Sequence, residues 1–157
     1  MITHLGTPDL NIAGFQLWVH GRQFPDSEDY DDVNWLRVTA HVGASGADVW
    51  VSGSIMQVND ILEIQRKCDA LCKGDLTDIS IQPLEPGLEL HLHKADGLGH
   101  YNLKILITPN HLEQEHSFFF EIDQSYFIQI IRQCNDLINK YPVLYGDIKN
   151  FVTTDPG

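Results

Sequence analysis

Apolar and polar residues alternate in seven short runs along the chain, and this period of two predicts strands with one buried face. Three runs come before residue 59 and four follow residue 78. Turn sequences separate some of the runs, which indicates that neighbouring strands form hairpins. The runs are centred on Phe15–Val19, Leu36–Val42, Val49–Ile55, Ile79–Ile81, Leu88–Leu92, Tyr101–Ile107 and Phe118–Ile122.

Two segments change from this alternation to helical spacing. Residues 59–73 carry an apolar stripe that Asn59 can cap and Gly74 can end. Residues 125–141 carry a second stripe, which Pro142 ends. Helices inserted after the third and the last strand indicate an α+β fold.

The chain is long enough for one domain, which we expect to span residues 1–157 with its core between about residues 10 and 143. We expect a mostly antiparallel, twisted sheet of about seven strands built from hairpins, with both helices packed on one of its faces.

Three tryptophans fall on the polar face of their strands. Pairing of the first two strands would bring Trp18 near Trp35. A two-residue turn at Ser45-Gly46 would place Trp50 opposite His41. The tryptophans are either covered by another layer or form an aromatic patch of the kind that anchors protein interfaces.

A second two-residue turn, at Asp96-Gly97, would place His93 opposite His100. This register gathers His91, His93 and His100 on one surface, where three imidazoles could bind zinc or another divalent cation if they converged on one point. Flat strands hold side chains apart, so we expect a solvated polar surface and keep the metal site as an alternative. The same register pairs Leu92 with Tyr101 and Glu89 with Lys104.

Negative charge is concentrated in one segment, FPDSEDYDDVNWL, which runs from Phe24 to Leu36. Its carboxylates cannot all be ionised close together without solvent, a cation or a basic partner. The spacing lacks the ladder of ligands found in an EF-hand, so calcium is not favoured. Either the loop is simply solvated or it meets a partner. The carboxylates are Asp26, Glu28, Asp29, Asp31 and Asp32.

The overall charge narrows the choice of partner. A formal net charge of −12 argues against nucleic acid and anionic membranes, and favours a basic protein surface. No apolar run reaches the length of a membrane span, and residues 1–10 do not resemble a signal peptide.

Three cysteines (Cys68, Cys72 and Cys134) are best explained as small buried residues in a reducing compartment, so we expect a cytoplasmic protein. No spacing matches a catalytic or phosphate-binding motif, so we expect neither an enzyme nor a cofactor.

Two short motifs resemble a known family. Asp32-Val33-Asn34-Trp35-Leu36 is similar to the D-x-N-W-L signature of the WapI-type immunity proteins, and Leu84-Glu85-Pro86-Gly87-Leu88 to their L/F-E-P-N-L turn. The closing helix, which ends at Tyr141-Pro142, fits the same pattern. The chain departs from it where Gly87 replaces the usual Asn and where no Arg follows Pro142.

The resemblance implies a small bacterial cytoplasmic protein that binds and neutralises a cognate toxin domain, in some cases a nuclease that acts on tRNA. A nuclease site is basic because it holds phosphates, which suits an acidic inhibitor. We expect the contact surface to comprise the five carboxylates of the loop, with Trp35 and Trp18 as apolar anchors. The alternatives are a divalent-metal protein or small metalloenzyme using the three histidines, and an interaction module of another kind. The sequence leaves the oligomeric state open.

Overall fold

The computed structural model describes residues 4–145, which form two four-stranded sheets and three helices. Each sheet is an antiparallel meander in which every strand pairs with the next along the chain, and each meander is followed by a long helix. The first sheet contains β1 (Leu10–Ile12), β2 (Phe15–Arg22), β3 (Trp35–Ala44) and β4 (Ala47–Gln57); the second contains β5 (Asp78–Ile81), β6 (Leu88–Lys94), β7 (His100–Ile107) and β8 (Ser117–Asp123). The helices are α1 (Tyr30–Val33), α2 (Val58–Lys73) and α3 (Tyr126–Lys140).

The predicted α+β class is confirmed, whereas the prediction of a single seven-stranded sheet with two helices is wrong. The extra strand, β1, was merged with β2 in the sequence pattern, because only Ala13 and Gly14 separate the two strands. The extra helix, α1, has four residues, too few to show helical periodicity. Alternation identifies strands but not which strands share a sheet.

The two long helices begin and end within one residue of the predicted positions. The cap of α2 is Gln57 rather than Asn59, and its N–H donates to the Asp60 carboxylate across 2.7 Å in a capping box. Gly74 ends α2 as predicted, in a left-handed conformation (φ 82°) that glycine adopts without strain.

One predicted hairpin register is confirmed and the other is wrong. Trp50 lies opposite His41, as a two-residue turn at Ser45-Gly46 requires. In the other hairpin, His93 lies opposite Asn102 rather than His100.

The second error arises because four residues, 96–99, form that loop. The Asp96 carboxylate accepts a hydrogen bond from the N–H of Leu98 (2.7 Å), and Gly99 has a positive φ (88°). The pairing moves by two residues, so Leu92 meets Leu103 instead of Tyr101 and Glu89 meets Leu106 instead of Lys104, while every side chain keeps its predicted face.

A single apolar core joins both sheets to α2 and α3. The two long helices pack against each other, and they also contact β5 and β1 respectively. In this core the Phe127 ring packs edge-on against Tyr101, with ring centres 4.8 Å apart. None of the helices within residues 4–145 is long and apolar enough to cross a membrane.

The cysteines only partly follow the prediction. Cys68 and Cys134 are buried in the core, and burial raises the pKa of each thiol to about 12. Cys72, which we expected to be buried as well, is exposed on the last turn of α2.

The two sheets approach each other closely at the turn between β1 and β2. A Cβ atom placed on Gly14 would lie 2.2 Å from the carbonyl oxygen of Gly43 in β3 and 2.6 Å from the ring of Phe120 in β8. Gly14 also accepts a hydrogen bond from the Gly43 N–H across 3.0 Å. The contact between this turn and β8 therefore requires a residue without a side chain.

Gly14→Ala should lower the free energy of unfolding by about 1–3 kcal/mol, because the added methyl group overlaps a backbone carbonyl and an aromatic ring. Urea unfolding measures this change. Gly97→Ala is the matched control: its new methyl group meets no atom within 4 Å, so stability should change by less than about 0.5 kcal/mol. Equal stability of the two variants would contradict the close approach at Gly14.

Candidate protein-binding surface

The acidic segment forms the connection between β2 and β3, and all five of its carboxylates are exposed to solvent. Within residues 4–145, none of them forms an ion pair with a lysine, arginine or histidine. The structure therefore brings the predicted carboxylates together on one surface loop and leaves their charges available. They are Asp26, Glu28, Asp29, Asp31 and Asp32.

Hydrogen bonds between neighbouring residues fix the conformation of this loop. Asp29 caps α1, since its carboxylate accepts hydrogen bonds from the N–H groups of Asp31 (2.9 Å) and Asp32 (3.0 Å). The Ser27 hydroxyl in turn accepts a hydrogen bond from the Asp29 N–H across 3.1 Å. The second half of the acidic loop is thus a capped turn of helix, α1, rather than an extended segment.

Asn34 anchors the end of this loop from inside the protein. Its side chain is completely buried, and its amide donates to the carbonyls of Tyr30 (2.8 Å) and Leu144 (3.1 Å). Its side-chain oxygen accepts a hydrogen bond from the Leu144 N–H across 2.9 Å, and its backbone carbonyl accepts one from Val58 at the start of α2, also across 2.9 Å. One asparagine therefore joins the loop to α2 and to the segment after α3.

Arg22 reinforces the same junction from β2. Its guanidinium donates to the carbonyls of Val33 (2.9 Å) and Pro142, and to the Asn34 side chain (3.3 Å). Burial lowers its pKa, and interaction with Tyr141 opposes that shift. Asn34 and Pro142, both part of the motifs found in the sequence, therefore have a structural role beside the acidic loop.

Trp18 and Trp35 do not lie together, so that prediction is wrong. Trp18 lies opposite Thr39, four residues along β3 from Trp35, because β2 and β3 pair in a register that the sequence did not reveal. Its indole is 7% exposed, donates to the Gly6 carbonyl (3.0 Å) and stacks with Trp50, with ring centres 5.8 Å apart. Little of Trp18 is available to a partner.

Two aromatic side chains adjoin the acidic loop. Trp35 is half-buried and begins β3, directly after Asn34. Phe24 is 45% exposed at the start of the loop, where its carbonyl accepts a hydrogen bond from Ser27 (3.2 Å). Phe24 is not among the predicted anchors, although its position outside the alternating run indicates that its ring does not belong to the core.

The three histidines do not form a joint site. His91 bonds with the hydroxyl of Ser80 (2.8 Å) and the carboxylate of Glu89 (3.2 Å). Each of the other two pairs with its own carboxylate, His93 with Asp78 and His100 with Asp96 (2.7 Å). In the part of the chain that the structure describes, no group of three or more His, Cys, Asp or Glu residues could hold a metal ion.

The fold and the surface together define a two-sheet α+β protein that displays an ordered, strongly acidic loop. The model of the immunity protein WapI-like family matches residues 6–142, and the chain belongs to this family. No curated protein matches the chain significantly.

Several solved structures resemble the chain over most of its length. The plant transcriptional regulator PBF-2 is 14% identical with a TM-score of 0.47, over 90% of this chain and 82% of its own. Trypanosoma brucei MRP1/MRP2 is 12% identical with a TM-score of 0.44, over 83% and 77%. WHY1 from Arabidopsis thaliana is 11% identical with a TM-score of 0.42, over 88% and 84%. At this level of likeness these structures carry no inference about function.

Asn34→Ala should lower the free energy of unfolding by about 1–3 kcal/mol, since it removes the hydrogen bonds by which the buried Asn34 side chain joins the loop to Leu144. It should also loosen the acidic loop, which faster amide exchange at Asp31 and Asp32 would report. Asn102→Ala, at an exposed position of β7, is the control and should change stability by less than about 0.5 kcal/mol. Unchanged stability and exchange in Asn34→Ala would refute its anchoring role.

The His100–Asp96 pair makes a prediction about pH. The hydrogen bond and charge of Asp96 raise the pKa of His100, and the bond to His100 lowers the pKa of Asp96. The raised pKa of His100 stabilises the folded state below about pH 6.5, and this stability is lost as pH rises through the folded-state pKa of His100. The lowered pKa of Asp96 stabilises the folded state above about pH 4, and this stability is lost as pH falls through the folded-state pKa of Asp96. The His100–Asp96 pair therefore stabilises the folded state most between about pH 4 and about pH 6.5.

An NMR titration of the His100 imidazole tests this directly. Asp96→Asn should lower the pKa of His100 towards its ordinary value of about 6.5. Glu121→Gln removes a weaker charge contribution and should lower that pKa less. An equal effect of the two substitutions would contradict the assignment of Asp96 as the main cause.

Proposed function

We propose that this protein is an immunity protein that binds and neutralises a cognate bacterial toxin domain, acting by binding rather than by catalysis. Its family membership supports the general role. The observation that carries the proposed binding mode is the acidic loop. Its five exposed carboxylates form no ion pair within residues 4–145, and hydrogen bonds of Asn34 and Arg22 anchor the end of the loop.

The binding surface comprises the five loop carboxylates with Trp35 beside them. Carboxylates pair with lysine and arginine on the toxin, and a loop that is already ordered loses little conformational freedom on binding. Phe24 supplies a further apolar contact, since nearly half of its side chain is exposed. Trp18 supports this sheet rather than meeting the toxin, because it is almost fully buried.

A basic toxin surface is the natural complement of a chain with a net charge of −12. Nucleases carry such surfaces because they bind phosphates, so we infer a nuclease-type toxin domain. Opposite charges accelerate encounter by roughly 10- to 1,000-fold at low salt, which favours capture of a toxin before it acts. The same charge opposes binding to nucleic acid or anionic membranes, and the expected place of action is the cytoplasm.

No specific observation favours the metal hypothesis. His91, His93 and His100 are each engaged by a different neighbour on the outer face of the second sheet. Elemental analysis of the purified protein tests this alternative, since stoichiometric zinc would support it.

The proposed function is tested with the toxin domain encoded by the gene directly ahead of this one. The two proteins should co-purify, and the immunity protein should abolish the toxin's activity and protect cells that express it. Absence of binding to that domain would overturn the proposed function.

Neutralising all five loop acids should slow association with the toxin domain by about 10-fold or more at low salt, because it removes the local attractive field. The free energy of unfolding should change little, since Asn at position 29 can still cap α1. Stopped-flow kinetics over a salt series measures the effect, and the wild-type rate should fall steeply as salt rises. The substitutions are Asp26→Asn, Glu28→Gln, Asp29→Asn, Asp31→Asn and Asp32→Asn.

A matched pair of triple variants separates the loop from the net charge. Both remove three exposed acids that form no ion pair within the described residues, one set from the loop and one from distant turns and helices. The loop set should slow association much more than the distant set. Equal effects would mean that only net charge matters and would move the interface elsewhere. The loop set is Asp26→Asn, Glu28→Gln and Asp32→Asn; the distant set is Asp75→Asn, Glu85→Gln and Asp136→Asn.

A further inference from the structure

Of the four edge strands within residues 4–145, two are contacted by a helix side chain at an outward backbone group. In β1, the outward N–H of Asn11 donates to the side-chain oxygen of Gln133 on α3 across 2.9 Å. In β5, the carbonyl of Ser80 accepts a hydrogen bond from Lys67 on α2 across 2.7 Å. Edge strands left open pair readily with other chains, and each of these contacts occupies an outward backbone group that such pairing would use.

The edge of β8 is open. Two backbone hydrogen bonds mark the ends of its ladder with β7. The Ile107 N–H donates to the His116 carbonyl (3.2 Å), and the Gln124 N–H donates to the Gly99 carbonyl (2.9 Å). Since bonded pairs alternate in an antiparallel ladder, the backbone groups of Phe119 and Glu121 point away from β7. Within residues 4–145, no group bonds to this outward row.

β8 is also better suited to pairing than β4, the fourth edge strand. The register of β4 is interrupted opposite Leu36–Val38, and its Gly53 has a φ of 143°, whereas the pairing of β8 with β7 is continuous. A bulge disfavours an added strand and a regular edge accepts one. Phe119, in the middle of β8, is 72% exposed, so its ring lies outside the core.

The surroundings of β8 are acidic and contain a groove. A depression of about 570 Å³ lies beside Phe119, and the Lys104 ammonium is 5.7 Å from the centre of that ring. Four exposed carboxylates lie on β8 or in the loop before it, namely Glu113, Glu115, Glu121 and Asp123. This balance of charge favours a cationic strand over a second copy of the same acidic chain.

We propose that the β8 edge accepts an extended, basic segment of the toxin domain as an added strand, with Phe119 as its apolar contact. This inference rests on the proposed function and assigns it a second contact. The Gly14 turn, which touches Phe120, lies at the opposite end of β2 from the acidic loop, about 26 Å away along its eight residues. An interface of ordinary size is roughly 30 Å across, which is comparable with this distance. The acidic loop then determines the rate of association with the toxin domain, and the β8 edge determines the rate of dissociation.

Amide hydrogen exchange tests the added strand in the intact chain. In the free protein, the amides of Phe119 and Glu121 should exchange much faster than those of Phe118 and Phe120, which bond to β7. Adding the toxin domain should slow exchange at Phe119 and Glu121. Fast exchange at both positions in a complex of normal affinity would overturn the proposal.

Phe119→Pro should speed dissociation of the complex by about 10-fold or more, because it removes an outward N–H and blocks the approach of a strand. Association should stay within about twofold, in contrast to the loop variants, since the charge is unchanged. The ladder with β7 stays intact because the lost N–H points outward, and thermal unfolding verifies this. Phe119→Ala, which keeps the N–H, should have a smaller effect, and Ser52→Pro on β4 should leave dissociation unchanged.

The outcomes separate this inference from the function on which it rests. Wild-type binding with unchanged dissociation in Phe119→Pro would overturn the β8 contact and leave the immunity role intact. Failure of the wild type to bind the toxin domain would overturn both. A free protein that dimerises, and becomes monomeric with Phe119→Pro, would show that a second copy occupies the edge and would also overturn the proposal.

Discussion

The buried contact between Asn34 and the segment after α3 is the constraint on which the acidic surface depends. A loop with five carboxylates repels itself and would spread if only solvent opposed the repulsion. Asn34 holds its end through bonds to Tyr30, Leu144 and Val58, and Arg22 adds a cation to the same junction. The Asn34 side chain is fully buried, so loss of its hydrogen bonds is costly. The protein thus uses buried polar contacts to hold a charged surface in one shape.

Local patterns predicted the local features of this fold well. Alternation located every strand except β1, and helical spacing located α2 and α3, because these patterns reflect burial of one face. The turn at Ser45-Gly46 gave the right register because only two residues form it. At Asp96-Gly97, a second glycine at position 99 permits a longer loop, and the sequence offers no way to choose between the two. Division into two sheets depends on contacts between strands distant in sequence, which periodicity does not encode.

The same contrast between local and tertiary information applies to the candidate site. The acidic loop and its exposure followed from the sequence because charge density needs no tertiary information. The roles of Asn34 and Pro142 did not, since their partners lie more than 100 positions away along the chain. The tryptophans were misplaced for a related reason: which indoles meet depends on strand register. Trp18 therefore stacks with Trp50 of β4 rather than meeting Trp35. The openness of the β8 edge is also a tertiary property, because it depends on which edges the helices reach.

The five loop acids differ in their structural roles, and this difference supports the proposal that the loop binds a partner. Asp29 has a structural task, since its carboxylate caps α1. The side chains of Asp26, Glu28, Asp31 and Asp32 form no ion pair or hydrogen bond within residues 4–145. Asp31 and Asp32 lie in the first turn of α1, where negative charge is favourable, and apart from this the four charges contribute only solubility. Solubility alone would be served equally well by scattered acids, without the repulsion that clustering brings. A rigid scaffold beneath clustered, unpaired carboxylates is what recognition of a cationic surface requires, because binding then needs neither reordering of the loop nor rupture of internal ion pairs.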